Sequence, residues 1–260
     1  MRRVRGALIG MASLIFVFAP GVAQAFTQQE INCSCVIYVR SVTGLPGGPS
    51  TAAGYTHSFM SSIGWVETQP KAGAVLVWDA NAKEANDAGH IAIIKSATHD
   101  ASGWHITVRH SNWGKPCQAP FNKQFDWPDL NGLHAYIRQL TLDAASTGTA
   151  TRDVTKGGDV VVSASGNWCS GGIKNDGSPS CGGPGGIRPP NPGESGDLLV
   201  PSAKIGVLVG RIGTGSWFAI GSSKHFTASA KGTLTVAMND RACCFGDNSG
   251  DVTVTVRAWP

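Results

Sequence analysis

Charge is scarce in this sequence: 15% of its 260 residues are Asp, Glu, Lys or Arg. The excess of basic over acidic residues is also small, 21 against 17. Three of the basic residues, Arg2, Arg3 and Arg5, lie in the first 25 residues, which hold no acid, so the rest of the chain carries 18 − 17 = +1. That balance excludes phosphate-backbone electrostatics as the basis of function, and no nucleic-acid partner is expected. Beyond residue 25 no apolar run approaches the roughly 20 residues a bilayer requires, and no stable membrane insertion is expected. Helical patterning is lacking after Thr141, and no internal repeat or long linker is evident. A second C-x-C pair to match Cys33-Ser34-Cys35 is lacking too. Zinc, which needs several thiolate or imidazole ligands at fixed spacing, is therefore not expected there.

Glycine is plentiful, with 34 residues. Together with low charge it suggests an exported, β-rich and turn-rich protein. The N-terminus agrees. "MRRVRGALIGMASLIFVFAPGVAQA" has a basic start, an apolar run from Ala7 to Phe18 and the small-x-small end Ala23-Gln24-Ala25. This is the form of a signal peptide cleaved after residue 25, and it predicts a secreted or periplasmic protein starting at Phe26. Export places the seven cysteines, Cys33, Cys35, Cys117, Cys169, Cys181, Cys243 and Cys244, in an oxidising compartment. Seven is odd, so at least one has no intramolecular partner and is either an intermolecular link or a reactive thiol.

The remaining 260 − 25 = 235 residues suffice for one large or two ordinary domains. Residues 27–44 read as a helix, with Asn32 or Ser34 available as a cap, and residues 50–65 as a second. Short β-rich runs follow at 73–79, 89–96 and 103–112, with a last strand at 132–138. Helices followed by an antiparallel sheet predict an α+β domain over 26–138. From 139 to 260 the runs at 158–168, 203–213, 216–222, 225–240 and 251–259 predict an all-β sandwich or jelly roll, with a Gly/Pro-rich loop at 181–197.

The first half holds the elements of a thiol nucleophile. Such a thiol must be deprotonated, accessible and close to a base. A cysteine opening a helix gains thiolate character from the helix dipole, and Cys35 is so placed. His90 opens the run "GHIAIIKS", and the next run ends in "RHSNW". Adjacent antiparallel strands can bring His90 beside Asn112, whose amide could hold the imidazole in one tautomer. Four segments, "CVIYVR" at 35–40, "PKAGAVLVW" at 70–78, "GHIAII" at 89–94 and "VRHSNWG" at 108–114, resemble the successive motifs of CHAP domains. These are cysteine- and histidine-dependent amidohydrolases/peptidases of the NlpC/P60 superfamily with a papain-like core. The resemblance implies Cys35 as nucleophile, His90 as base, Asn112 as the orienting residue, no cofactor for catalysis and peptidoglycan as the substrate. In one respect the chain departs from the pattern: many CHAP domains have Glu where this sequence has His110. With Cys35 as nucleophile, Cys33 and Cys117 are the other cysteines of this half and the expected disulfide.

In the second half, "NDRACCFGDNSGDVTVTV" gathers Asp240, Asp247 and Asn248 on one loop. Oxygen donors of this kind suit calcium or an Asx-rich turn. The runs "GGDVVVSASGNW", "VPSAKIGVLVGRIG", "GTLTVAMND" and "DNSGDVTVTV" resemble the LecA/PA-IL-type galactose-binding domain, a calcium-dependent lectin sandwich. The resemblance implies Ca2+ held by Asp240, Asp247 and Asn248 with the carbonyls of Cys244 and Ser170, and a galactose-like or other cell-surface glycan as ligand. The loop "IKNDGSPSCGG" lacks the His and Gln expected to contact sugar. Cys169, Cys181, Cys243 and Cys244 can pair as Cys169–Cys181 with Cys243–Cys244, or crosswise. Together the halves predict a peptidoglycan hydrolase that cleaves an amide bond, as amidase or endopeptidase, and carries a carbohydrate-binding module. A non-catalytic lectin or adhesin on a CHAP scaffold and a secreted antibacterial effector are the alternatives.

Overall fold

The computed structural model describes residues 26–114, 116–171, 179–191 and 193–260. The signal peptide expected over 1–25 lies outside these residues, as does most of the expected sugar-contact loop. The chain is mostly β with few helices. The stretch read as one helix over 27–44 is two: α1 (Gln28–Cys33) and α2 (Cys35–Thr43), parted at Ser34, whose backbone is extended (φ −146, ψ 117). Local chemistry explains the break. Thr27 and Glu30 cap α1 reciprocally, and the Ser34 hydroxyl accepts from the Ile37 N–H at 3.2 Å, starting α2 afresh. α2 ends at Gly44, whose left-handed conformation (φ 67) lets its N–H reach the Arg40 carbonyl. The second expected helix is shorter than read: a 3-10 turn at Ala52–Gly54, then α3 (His57–Ser62).

The strands are β1 (Trp65–Thr68), β2 (Val75–Trp78), β3 (His90–Asp100), β4 (Gly103–His110), β5 (Phe121–Trp127), β6 (Leu133–Asp143), β7 (Thr149–Val154), β8 (Asp159–Ser170), β9 (Ser180–Gly182), β10 (Gly185–Arg188), β11 (Ile205–Ile212), β12 (Phe218–Ala219), β13 (Ser223–Thr227), β14 (Gly232–Met238) and β15 (Ser249–Trp259). One sheet runs β13-β8-β15-β6-β2-β3-β4-β5, with β1 also on β6 and β9 on β8; the second runs β10-β11-β14-β7, with β12 on β11. The first sheet curls through both halves of the chain. Its hinge strand is β6. Residues 133–136 of β6 pair with β2, and 138–143 pair with β15. The two sheets of the second half enclose one core, with Trp168, Leu208, Leu234, Val236, Val252 and Val254 buried between them. That is the layering of a β-sandwich.

In the first half the sheet is buried on both faces. Val75, Val77, Ile91 and Ile93 pack under α2 with Tyr55 and Met60. Leu76, Trp78, Ala92, Ile106, Val108, Phe125 and Trp127 fill the other side. The alternation along β2 and β3 is the two-residue strand period.

Three arginines stitch the halves together through backbone carbonyls. Arg138 donates to Ile63, Gly64 and Thr151 carbonyls, Arg257 to Ala72 at 2.8 Å, and Arg152 to Gly73 at 3.3 Å and Ala258 at 3.2 Å. Arg152 is buried, its guanidinium 5.4 Å from the Trp65 ring centroid, and burial pulls its pKa down. Lys95 reaches the Pro260 carbonyl. Gly73 sits in the same seam at φ 81, where a Cβ would fall 2.5 Å from Trp259 and 2.7 Å from Arg257. Only glycine fits both that backbone and that space. Among the described residues no helix is long and apolar enough to cross a membrane.

Candidate functional site

Among the described residues Cys35 is the one free cysteine, half-buried at the first residue of α2. Burial has the largest effect on its thiol and pushes the pKa up, while N–H groups of Ile91, Val36 and Cys35 directed at the sulfur work the other way. Ile91 is the second residue of β3, so the sulfur lies beside the start of that strand, where His90 stands. Gly89 makes the approach possible: at φ 67, a Cβ there would come within 2.4 Å of the Trp78 carbonyl and 2.8 Å of the Ala53 nitrogen.

His90 Nε2 lies 2.8 Å from His110 Nδ1, and both rings are buried. The β3–β4 register explains the meeting. Ile93 pairs with Arg109 and Ile94 with Val108. Continued, that register places His110 opposite Ala92 and diagonal to His90 on the same face, within reach of a ring. It would also place Asn112 opposite His90, but β4 ends at His110. Asn112 adopts a left-handed backbone (φ 54), its Oδ1 accepts from the Cys117 N–H at 3.2 Å, and its N–H reaches the Gln118 carbonyl at 3.4 Å. Asn112 thus clasps the 112–118 loop. The loop is fixed further by the Cys33–Cys117 disulfide, and Ser111 Oγ donates to the Ser34 carbonyl at 3.1 Å. Both bonds anchor it to the entry of the nucleophile helix.

The dyad is walled by aromatic rings. Trp113 lies 4.3 Å and Trp78 5.2 Å from the His90 centroid, and Phe121 4.5 Å from His110. Burial holds both imidazoles well below the usual histidine range; the charge of Lys123 adds to this at both, and His110 adds to it at His90. The Lys123 ammonium sits 4.4 Å over Phe125 and 4.9 Å over Trp113 and pairs with Glu84 at 3.1 Å. His110 Nε2 is buried without a hydrogen-bond partner. The signal for His110 was present in the sequence as the departure from Glu; what the sequence hid was the turn that takes Asn112 away.

At the far end of the second half, Asp240, Asn248 and Ser170 are buried, Cys244 precedes the 3-10 turn Phe245–Asp247, and Asp247 ends it. Asn248 Nδ2 donates to Asp240 Oδ2 at 2.8 Å and to the Ala144 carbonyl at 3.3 Å, while Asn248 Oδ1 is buried with no partner. Burial raises the Asp240 pKa, and the Asp247 charge adds to it. Asp247 lies against the Ser170–Gly171 turn: a Cβ on Gly171 would meet Asp247 Cγ at 2.5 Å. Asp240 and Asn248 thus meet, and Asp247 meets the turn that follows Ser170. Asn239, the neighbour of Asp240, instead braces the strand end through Val200 and Lys204. Among the described residues no three His, Cys, Asp or Glu side chains are grouped to hold a metal. This set offers two carboxylates, one amide and carbonyls, and the orphaned Asn248 oxygen fits a hard cation. Cys169–Cys181 and Cys243–Cys244 are the other disulfides, both beside this site.

The comparisons agree with both resemblances. The CHAP domain model matches residues 25–112, and the PA-IL-like protein model matches residues 139–258. The chain carries the first followed by the second. A search of curated proteins returns no match. Among solved structures, one titled "EclA N-terminal domain; PllA-like lectin" is 27% identical, with a TM-score of 0.36, covering 46% of this chain and 95% of its own.

Proposed function

We propose that this protein is a secreted or periplasmic peptidoglycan hydrolase that cleaves an amide bond through Cys35 and His90, with a calcium-dependent glycan-binding module. A CHAP domain suggests an amidase or peptidase acting on peptidoglycan, and a PA-IL-like domain suggests a lectin. Three disulfides are consistent with an extracellular or periplasmic location. The observation that carries the reading is the free thiol at the start of α2, beside a buried histidine whose far nitrogen is held at 2.8 Å.

The resting pair is a neutral thiol and a neutral imidazole. For His90 to act as base toward Cys35, its proton sits on Nε2 and is accepted by His110 Nδ1. The Cys35 sulfur attacks the amide carbonyl as its proton passes to His90. The backbone N–H of Cys35 faces the oxyanion as that charge develops. Collapse breaks the C–N bond, His90 returns the proton to the leaving amine, and water hydrolyses the thioester by the same route. In this role His110 positions His90 and Asn112 holds the loop that carries the wall.

In the second half Asp240, Asp247 and Asn248 with the Cys244 and Ser170 carbonyls would hold calcium. When bound, calcium would supply a positive centre for sugar hydroxyls. Asp240 and Asn248 already constrain each other, so these groups are set before a cation arrives.

The test is release from purified peptidoglycan. New amines without new reducing ends, abolished in Cys35→Ala, support an amide hydrolase. Wall binding with no release by the wild type would sink it. The second reading, a calcium lectin on an inactive CHAP scaffold, draws on Lys123: a cation rather than a carboxylate neighbours the dyad.

A further inference from the structure

Two short segments carry the residues of the candidate calcium site, and each has a disulfide within one residue of an expected ligand. Cys169 precedes Ser170 and bonds Cys181; Cys244 is itself an expected carbonyl donor and bonds Cys243. The two bonds do different things. Cys169 and Cys181 already face each other in the β8–β9 ladder, so their bond reinforces a pairing the sheet makes anyway. Cys243 and Cys244 are neighbours in sequence, so their bond closes no loop of the chain. A disulfide restrains the unfolded chain through the loop it closes, and the effect grows with loop length. Holding the whole domain together is therefore not the role of the Cys243–Cys244 bond. What it restricts is local. It closes a small ring through the Cys243–Cys244 peptide and limits ψ of Cys243 and φ of Cys244.

That peptide lies where the loop 240–248 reverses. At the loop's entry Asp240 Oδ1 accepts from the Arg241 N–H at 2.7 Å, the Asp240 carbonyl accepts from the Leu199 N–H at 3.2 Å, and Arg241 bridges to Leu198. At its exit Phe245 is buried, and the Phe245 carbonyl accepts from the Asn248 N–H at 3.2 Å. The reversal brings Asn248 Nδ2 to 2.8 Å from Asp240 Oδ2 and leaves Asn248 Oδ1 buried with no partner. A buried, unpaired amide oxygen is an acceptor that a hard cation completes. Between entry and exit the chain has little support: Ala242 and Cys243 are exposed and Cys244 is half-buried. This middle is held by the Cys244 N–H, donated to the Arg241 carbonyl at 3.0 Å, and by the disulfide. Cys244 (φ −126, ψ 24) leads directly into the 3-10 turn that ends at Asp247.

We propose that the Cys243–Cys244 disulfide presets the cation loop, so that calcium affinity follows the redox state of this one bond. The inference rests on the calcium reading of the second half and adds its control. Closed, the ring fixes the approach to Cys244, whose carbonyl is an expected donor, and to Asp247 one short turn later. Opened, it frees the backbone dihedrals on both sides of that peptide, and ordering them again opposes binding by about tenfold, the scale of fixing one residue. Opening takes a dithiol reductant, the class of reagent that exchanges with protein disulfides. Its thiolate attacks the exposed Cys243 sulfur, the Cys243–Cys244 bond breaks, and Cys244 leaves as a thiolate and takes a proton. The second reductant thiol, deprotonated, attacks the reductant sulfur of the mixed disulfide, closes the reductant's own disulfide and releases Cys243, which takes a proton in turn. Two electrons pass from the reductant to the cysteine pair. An oxidised dithiol of the same class reverses these steps. The loop is thus set only where the pair is oxidised, the condition expected after export.

The probe is calcium alone, titrated by calorimetry into the full protein after EDTA treatment and dialysis. Cys243→Ser/Cys244→Ser is expected to bind calcium about tenfold more weakly than the oxidised wild type, with a Tm in EDTA close to that of the wild type. Dithiothreitol is expected to weaken wild-type binding by the same factor and to leave the Kd of the double variant unchanged. Equal Kd values for the double variant and the oxidised wild type overturn the switch and leave the calcium site standing. A clear fall in the variant's Tm in EDTA overturns it too, because the bond is then a staple of the whole domain. A further loss of affinity in the variant under dithiothreitol overturns control by this one bond and moves it to another disulfide. No calcium binding by the oxidised wild type overturns the site and the switch together.

Discussion

A carboxylate at position 110 is expected to raise the small thiolate–imidazolium population of the resting site. In the wild type three effects keep the pair neutral: burial of Cys35, burial of both imidazoles, and the Lys123 charge acting on His90 and His110. An ordinary cysteine is about a few per cent thiolate at neutral pH, and Cys35 is expected to be below that. In His110→Glu a negative charge replaces the neutral acceptor that now lies 2.8 Å from His90 Nε2. An opposite charge at such range shifts a pKa by about 1–3 units. Burial of the new carboxylate opposes this, so the low end applies, and the thiolate–imidazolium population rises about tenfold. Iodoacetamide reads the thiolate directly and needs no substrate. The wild-type alkylation rate is expected to climb with pH through and beyond the ordinary thiol range, with no plateau in acid. His110→Glu is expected to keep that rising profile, because a gain of about tenfold still leaves the neutral pair dominant. A wild-type rate that is fast and flat from about pH 5 to about pH 8 would refute the neutral pair, because only a preformed ion pair behaves so.

Asn112→Ala removes the acceptor of the exposed Cys117 N–H; we expect a loss of about 0.5–1.5 kcal/mol in urea unfolding with an alkylation rate close to wild type. Loss of thiol reactivity with unchanged stability would mean that Asn112 acts on His90. Arg152→Ala strands two carbonyls and opens a cavity in the seam, at a cost of about 3–5 kcal/mol, whereas Arg152→Met keeps the volume, removes a buried charge and stays within about 2 kcal/mol of wild type. Equal damage from both, measured by urea midpoints, would show that the charge itself holds the seam. Calcium at about 100 times its Kd is expected to stabilise the protein by about 3 kcal/mol, seen as a rise in Tm that EDTA reverses. Asp240→Asn is expected to abolish that rise, and a rise that persists would move the cation elsewhere.

The sequence was most legible where local chemistry decides. Ser34 announces a helix start, β2 and β4 lie within the runs that alternate or crowd with β-branched residues, and β3 starts in its run and continues four residues beyond it. Legibility failed where partners distant in sequence decide. β5, "FNKQFDW", alternates with polar residues and was passed over; its pairing with β4 makes it a strand. The run expected as the last strand of the first half stops at Arg138, before the polar Gln139 and Thr141. β6 itself continues to Asp143 because β15, more than a hundred residues later, completes its edge. The placement of Asn112 opposite His90 was sound as register and was undone by one left-handed residue after the strand.

The sheet that crosses from one half to the other has a consequence for how such a protein can be cut and recombined. A break at residue 138, the natural place by sequence, falls inside β6: residues 133–136 stay with β2 in one piece and residues 139–143 stay with β15 in the other, each a strand cut short of the sheet it was built to join. The halves therefore cannot be exchanged as beads on a string. A glycan gripped at one end would also fix the arc over which the thiol at the other can cut, as a compass with a locked hinge draws only one circle. The geometry of the wall would then decide, through that one radius, which bonds are ever presented.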